Sequence, residues 1–256
     1  MKMTVLGCAG SFAGPHSPAS SYLVQAVHDG RTHSVVFDLG NGSFGTLQRH
    51  LDPMALDAVF LSHLHPDHCI DLTGMYVYRK YHPDGAAGQR LAVHGPAGVR
   101  GRMRKAYEGL EDDGMDAQFD FRRLSDGATV EVGPLRITAR SVEHPVEAFG
   151  FRIEADGAIL TYSGDTDSCD GLLDLARGSD LMLVDAAFVE GRDHTRGIHL
   201  TGRRAAEAAI AAGARRLMLT HLPAWNDPAV CRAEAEEVWP GEVEIARLGA
   251  TYDLGS

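Results

Sequence analysis

At 256 residues with 44% hydrophobic content, the chain can bury a substantial core, and one large β or α/β domain spanning residues 1–256 is expected. Lys and Arg number 24 against 35 Asp and Glu, a formal charge of −11, which disfavours tight nonspecific binding of long nucleic acid because that affinity comes from cations displacing counterions. No apolar run approaches membrane-spanning length, a strand begins within the first residues, and Cys8, Cys69, Cys169 and Cys231 show no paired spacing. A cytoplasmic protein with reduced thiols is therefore expected, with monomer and homodimer both open.

In chain order, residues 3–7, 20–27, 34–38 and 58–61 read as strands, 71–80 as a helix, 90–94 as a strand and 97–108 as a helix behind His94-Gly95-Pro96. The second half repeats the rhythm, with strands near 118–124, 128–132, 135–142, 148–154 and 158–163, then helix 169–177, strand 181–185, helix 201–212, strand 216–220, helix 229–238 and strand 243–248. Strands come in consecutive blocks with helices between the blocks. That suits an α/β arrangement of two packed sheets with helices outside better than a doubly wound parallel sheet.

The most informative residues are His63-Leu64-His65-Pro66-Asp67-His68, directly after the apolar run Ala58–Ser62. Three imidazoles and a carboxylate on one short loop at a strand end are the donors that Zn²⁺ prefers. Further donors are expected at other strand ends of the same edge. His144 follows the alternating run 135–142, Asp165 follows 158–164 and His221 follows 216–220. Five His and two Asp suit two metals.

This order resembles that of the metallo-β-lactamase superfamily, and the match spans nearly the whole chain. The resemblance implies an αββα sandwich, two mixed β-sheets packed face to face with helices outside. It also implies that His63, His65 and His144 hold one metal, that Asp67, His68 and His221 hold the other, and that Asp165 bridges them. The true β-lactamases carry Cys where this chain has Asp165, which disfavours antibiotic hydrolysis. Two divalent ions, zinc foremost and manganese second, roughly 3.5–4 Å apart, would share a water, acidify it and present a bridging hydroxide for in-line attack, with Asp67 also orienting it.

His199, in Gly197-Ile198-His199-Leu200-Thr201-Gly202, resembles the extra histidine of the ribonuclease Z branch, where it contacts the scissile phosphate. Its expected role is to donate a hydrogen bond or proton to a phosphoryl or leaving oxygen, while Thr201 is the candidate N-cap of the following helix. Ribonuclease Z carries a long tRNA-gripping arm between the ligands matching His144 and Asp165. Here those residues lie 21 positions apart and two strands consume most of the interval. Thr4–Ser11, Gly14–Leu23, Leu47–His50, Arg79–Pro83 and Thr220–Trp225 further resemble actinobacterial proteins of this fold that include an atypical cyclic-nucleotide phosphodiesterase. That resemblance implies hydrolysis of 3′,5′-cyclic AMP to the 5′-monophosphate. The residues alone support phosphodiester hydrolysis only, and the missing arm with the acidic balance favours a small substrate; an RNA 3′-processing nuclease and a thioester or lactone hydrolase are the alternatives, and a nonenzymatic metal-binding regulator is the last option. His16 and His194 are loop residues that could reach the substrate. His28, His33, His50, His82 and His94 fall outside the ligand pattern, and Arg100, Arg102, Arg104 and Lys105 read as a solvated helix face.

Overall fold

The computed structural model describes residues 1–107 and 115–255. The first half runs β1 (Lys2–Gly7), β2 (Ser21–His28), β3 (Arg31–Phe37), α1 (Ser43–Leu47), a 3₁₀ turn (Pro53–Ala55), β4 (Ala58–Phe60), α2 (Pro66–Cys69), α3 (Leu72–Tyr81), β5 (Leu91–Gly95), α4 (Val99–Ala106) and β6 (Phe119–Arg123). The second runs β7 (Thr129–Val132), β8 (Leu135–Ser141), β9 (Phe149–Ala155), β10 (Ala158–Tyr162), α5 (Asp170–Ala176), β11 (Leu181–Asp185), α6 (Gly202–Ala212), β12 (Leu217–Thr220), α7 (Pro228–Glu236), β13 (Val243–Ile245) and β14 (Thr251–Asp253).

Every element expected from periodicity is present. The helix expected over 97–108 begins at Val99 behind Gly98, and its expected last residue lies outside the described residues. The strand expected over 243–248 stops at Ile245, because a turn through Leu248-Gly249, with Gly249 at φ 76°, sends the chain back into β14. Helices α1 and α2, the 3₁₀ turn and strand β14 are additions; α1 and α2, at five and four residues, are too short to show a 3.6-residue period, and β14 has three residues.

Two seven-stranded sheets result, one ordered β14-β1-β2-β3-β4-β5-β6 and the other β13-β12-β11-β10-β9-β8-β7. Each is antiparallel over one part and parallel over another, the change falling at β3/β4 in the first and at β10/β11 in the second. In both, an antiparallel pair turns on Asp-Gly with φ positive at both positions: Asp29-Gly30 (49° and 74°) joins β2 to β3, and Asp156-Gly157 (55° and 74°) joins β9 to β10. Glycine takes that conformation without a Cβ penalty, and the pairing fixes the register of the hairpin.

Three apolar layers hold the architecture. Strand side chains alternate between them, so that in β11 Leu181 and Leu183 face the partner sheet while Met182 and Val184 face the outer helices. In β4, Ala58 and Phe60 likewise enter the layer between the sheets and Val59 the layer under the first set of helices. This alternation produces the αββα sandwich. Phe37, Phe60 and Phe151 meet in the central layer with ring centroids 5.2–5.8 Å apart. Phe151 is fully buried, so Phe151→Ala should destabilise the fold by about 3–5 kcal/mol in urea unfolding with an unchanged m-value. A loss below about 1 kcal/mol would show that the sheets do not depend on this contact.

Candidate metal centre

The sandwich delivers its chemistry to one edge. His63 and Asp67 follow β4, His144 follows β8, Asp165 follows β10 and His221 follows β12, so four loops from the two sheets deliver them to one edge. Donor atoms of His63, His65 and His144 lie within 4.8 Å of one another, and so do those of Asp67, His68, Asp165 and His221. The seven residues anticipated from the sequence are thus assembled as two adjoining groups. Asp165 sits between them: one carboxylate oxygen is 3.7 Å from His63 Nε2 and 3.2 Å from His221 Nε2, and the other is 3.1 Å from His68 Nε2.

Metal ions fit this donor set. His68 Nε2 and Asp165 Oδ1 are buried with no hydrogen-bond partner although they lie 3.1 Å apart, a costly arrangement unless a cation accepts both lone pairs. His63 Nε2 likewise stands 2.9 Å from His65 Nδ1, which is 3.3 Å from His144 Nε2. On the far side of the rings, His68 Nδ1 donates to Asp38 at 2.7 Å and His144 Nδ1 donates to the Ile198 carbonyl at 2.9 Å. A proton held on Nδ1 leaves the Nε2 lone pair facing the centre, the arrangement that orients imidazole ligands. Ser20 Oγ lies 2.9 Å from His221 Nδ1 in the same way.

Burial and mutual charge set the protonation of the cluster. Burial pushes the His63 pKa well below its ordinary value, and the neighbouring His68 adds to the effect. Burial would do the same to His68, but Asp165 and Asp38 raise it well above. Burial opposes ionisation of Asp165, yet His221, His68 and His63 hold its pKa well below the usual carboxylate range.

His199 joins the cluster. Its donor atom groups with those of His144 and Asp165, and its ring centroid is 5.3 Å from that of His221. Nδ1 is 2.8 Å from Asp185 Oδ2 at the end of β11. Burial alone would lower the His199 pKa; the Asp185 carboxylate outweighs it and raises it to about 9. Thr201, not His199, caps α6, accepting from Arg204 N–H at 3.2 Å. The loop carrying His199 is gripped by the buried Asp167, which accepts from Arg196 Nε (2.6 Å), Arg204 Nη1 (2.6 Å) and Gly197 N–H (2.8 Å).

On the opposite side the N-terminal loop packs directly on His221, whose φ of 56° is left-handed. Gly10 N–H donates to the Leu222 carbonyl at 3.1 Å, and a Cβ on Gly10 would fall 2.2 Å from the His221 carbonyl oxygen. Only glycine allows that approach. His16 and Cys8 help to line an apolar cavity of about 220 Å³ between this loop and residues 219–228, which takes in none of the clustered side chains. His194 is exposed on its loop outside the cluster, and His94 is buried in β5, stacked on Phe60 at 4.5 Å. Cys69 touches the His65 carbonyl at 3.2 Å, and burial pushes its thiol up to about 12, so it is unreactive at neutral pH. The sequence reading missed Asp38 and Asp185, both strand-end carboxylates.

A model of the Beta-lactamase superfamily domain matches residues 33–222, and with this donor arrangement the chain belongs to the metallo-β-lactamase superfamily. The Mycobacterium leprae protein ML1173 is 44% identical over 99% of this chain and 89% of its own length. The crystal structure of Bacillus subtilis YhfI superposes with a TM-score of 0.84 at 28% identity, covering 98% of this chain and 99% of that one. Escherichia coli ribonuclease BN is 26% identical over 311 aligned positions, taking in 99% of this chain and all of the ribonuclease. Membership of this family makes the chain a metal-dependent hydrolase.

Asp185→Asn should lower the His199 pKa in the metal-free protein clearly below about 9, because burial is then opposed mainly by the more weakly acting Asp165. A histidine titration followed by NMR reads this directly, and an unchanged pKa would remove Asp185 as the cause. Because the folded-state pKa is raised, stability from the pair is full below pH 6.5 and fades as pH rises through about 9.

Proposed function

We propose that the enzyme is a dinuclear phosphodiesterase acting on small phosphodiesters, foremost 3′,5′-cyclic nucleotides such as cyclic AMP, which it opens to the 5′-monophosphate. The observation that carries this reading is the His199–Asp185 pair, 2.8 Å apart and set against the donor cluster. It supplies a proton donor where the other groups supply lone pairs. His63, His65 and His144 would hold one divalent ion, Asp67, His68 and His221 the second, and Asp165 would bridge. Zinc suits a set of imidazoles and carboxylates best, with manganese second. Bound there, the ions would acidify a water and offset charge on the phosphoryl group.

The rest of the chemistry belongs to side chains. Asp67, whose pKa is held down by His68 against its burial, stays ionised and orients the attacking water. His199 presents its second nitrogen to the leaving oxygen while Asp185 fixes the ring through the first. The Asp167 clamp keeps the His199 loop in place as substrate enters.

Similarity to ribonuclease BN supports cleavage of a phosphodiester bond and favours a second reading, an RNA 3′-processing nuclease. Two features argue for a small substrate instead. That alignment needs 311 positions for a chain of 256 residues, and here β9 and β10 meet in a two-residue turn between His144 and Asp165, leaving no room for a long arm. The charge of −11 also offers little to a polynucleotide. The pertinent experiment compares turnover of the metal-loaded protein on cyclic AMP, precursor tRNA and a lactone. Cyclic AMP should be cut fastest; efficient trimming of precursor tRNA would restore the nuclease reading.

His199→Ala should leave metal content intact and reduce turnover of cyclic AMP by about 10²–10⁴-fold, with a smaller loss on a p-nitrophenyl ester whose leaving group needs no proton. Full activity in this variant would reject the role. Elemental analysis should find two metals per chain in the native protein and loss of both in Asp165→Ala. One metal, retained in that variant, would refute the bridging assignment.

A further inference from the structure

Of the seven clustered residues, only His65 and His144 keep partial exposure, so the centre opens toward them. A groove of about 200 Å³ begins at that edge, lined by His65, Leu64, Pro96, Ala97, Val146 and Glu147. Its walls come from the segments that deliver the two exposed histidines: Leu64 precedes His65, and Val146 and Glu147 follow His144. Pro96 and Ala97, at the end of β5, close the third side.

We propose that this groove is the nucleobase subsite, resting on the phosphodiesterase reading above. The groove is too small for a drug-sized ligand and fits a single ring system. Leu64, Pro96, Ala97 and Val146 give it apolar faces, and Val146 is 41% exposed. Its one carboxylate, Glu147, braces two walls by accepting from Ala97 N–H at 2.6 Å and lies 3.6 Å from Arg123 Nη2. Apolar walls with one acceptor at the rim suit a flat heterocycle carrying an exocyclic N–H. A phosphoryl group at the centre would place such a ring one ribose away, along the groove. Specificity for nucleotides over other phosphodiesters would then come from Leu64, Ala97 and Val146, none of which touches the reacting atoms.

Ala97 is exposed and its N–H bond to Glu147 does not involve its side chain, so Ala97→Trp fills the groove while keeping the backbone contact. Val146→Asp is the second variant, placing a charge on the apolar face. The ratio of kcat/KM for cyclic AMP over a base-free ribose 3′,5′-cyclic phosphate should fall about 10- to 30-fold in each, mostly through KM. Calorimetric binding of adenosine 5′-monophosphate should weaken to a similar degree while binding of ribose 5-phosphate changes little. An equal effect on both ligands, no effect on either, or no preference of the native protein for the adenosine compound would overturn the subsite. Failure of the native protein to cut either cyclic phosphate would instead strike the phosphodiesterase reading, with the calorimetry still deciding the groove.

Discussion

The Asp38 carboxylate is the contact on which the edge of the sandwich depends. It is fully buried just past β3 and accepts from four donors: Ser62 N–H (2.7 Å), Ser62 Oγ (2.7 Å), His68 Nδ1 (2.7 Å) and Tyr162 Oη (2.6 Å). Ser62 and His68 belong to the first sheet's edge and Tyr162 to β10 of the second. One anion therefore ties both sheets together directly beneath the clustered donors. Burying an isolated carboxylate would be prohibitive, and four hydrogen bonds, one of them to an imidazole whose protonation it favours, compensate it. Tyr162, pushed well above its ordinary pKa by burial and by Asp38, stays a donor.

This arrangement also explains how seven polar side chains can be concentrated at one end of a well-packed fold. The three apolar layers end where the strands end, and the loops beyond them are anchored on both sides of the centre. Asp167 and its arginines fix one side of the centre, while Gly10 and Leu222 fix the other. Side chains held in this manner are preorganised, so little reorganisation is needed when charge develops on a substrate.

Much of this was legible in the chain. His63, His65, His144, Asp165 and His221 each follow an apolar run of strand period, and residue type together with position was enough to gather them. Asp38 and Asp185 occupy equivalent strand ends, yet a lone carboxylate there is chemically ambiguous, since Asp also serves turns and caps. Their roles become apparent only from the partners that tertiary structure brings from distant segments, such as Tyr162 for Asp38 and His199 for Asp185. Strand β14 is three residues long, and its pairing with β1 is set by the fold. The groove beside His65 is built from three unconnected segments, so no local pattern could announce it.

The left-handed backbone at His221 carries one more implication. A non-glycine residue at φ 56° is held there at a cost of about 1–3 kcal/mol, set against the contacts of the Gly10 loop and the donor cluster around its ring. Anything that binds the folded cluster and not the unfolded chain adds to that restraint by mass action. The same loop donates Ser11 N–H to His221 Nε2 at 3.3 Å, the lone pair an ion there would take, so the first loop would feel whether that ring is occupied, and proteolysis near Gly10 would report it.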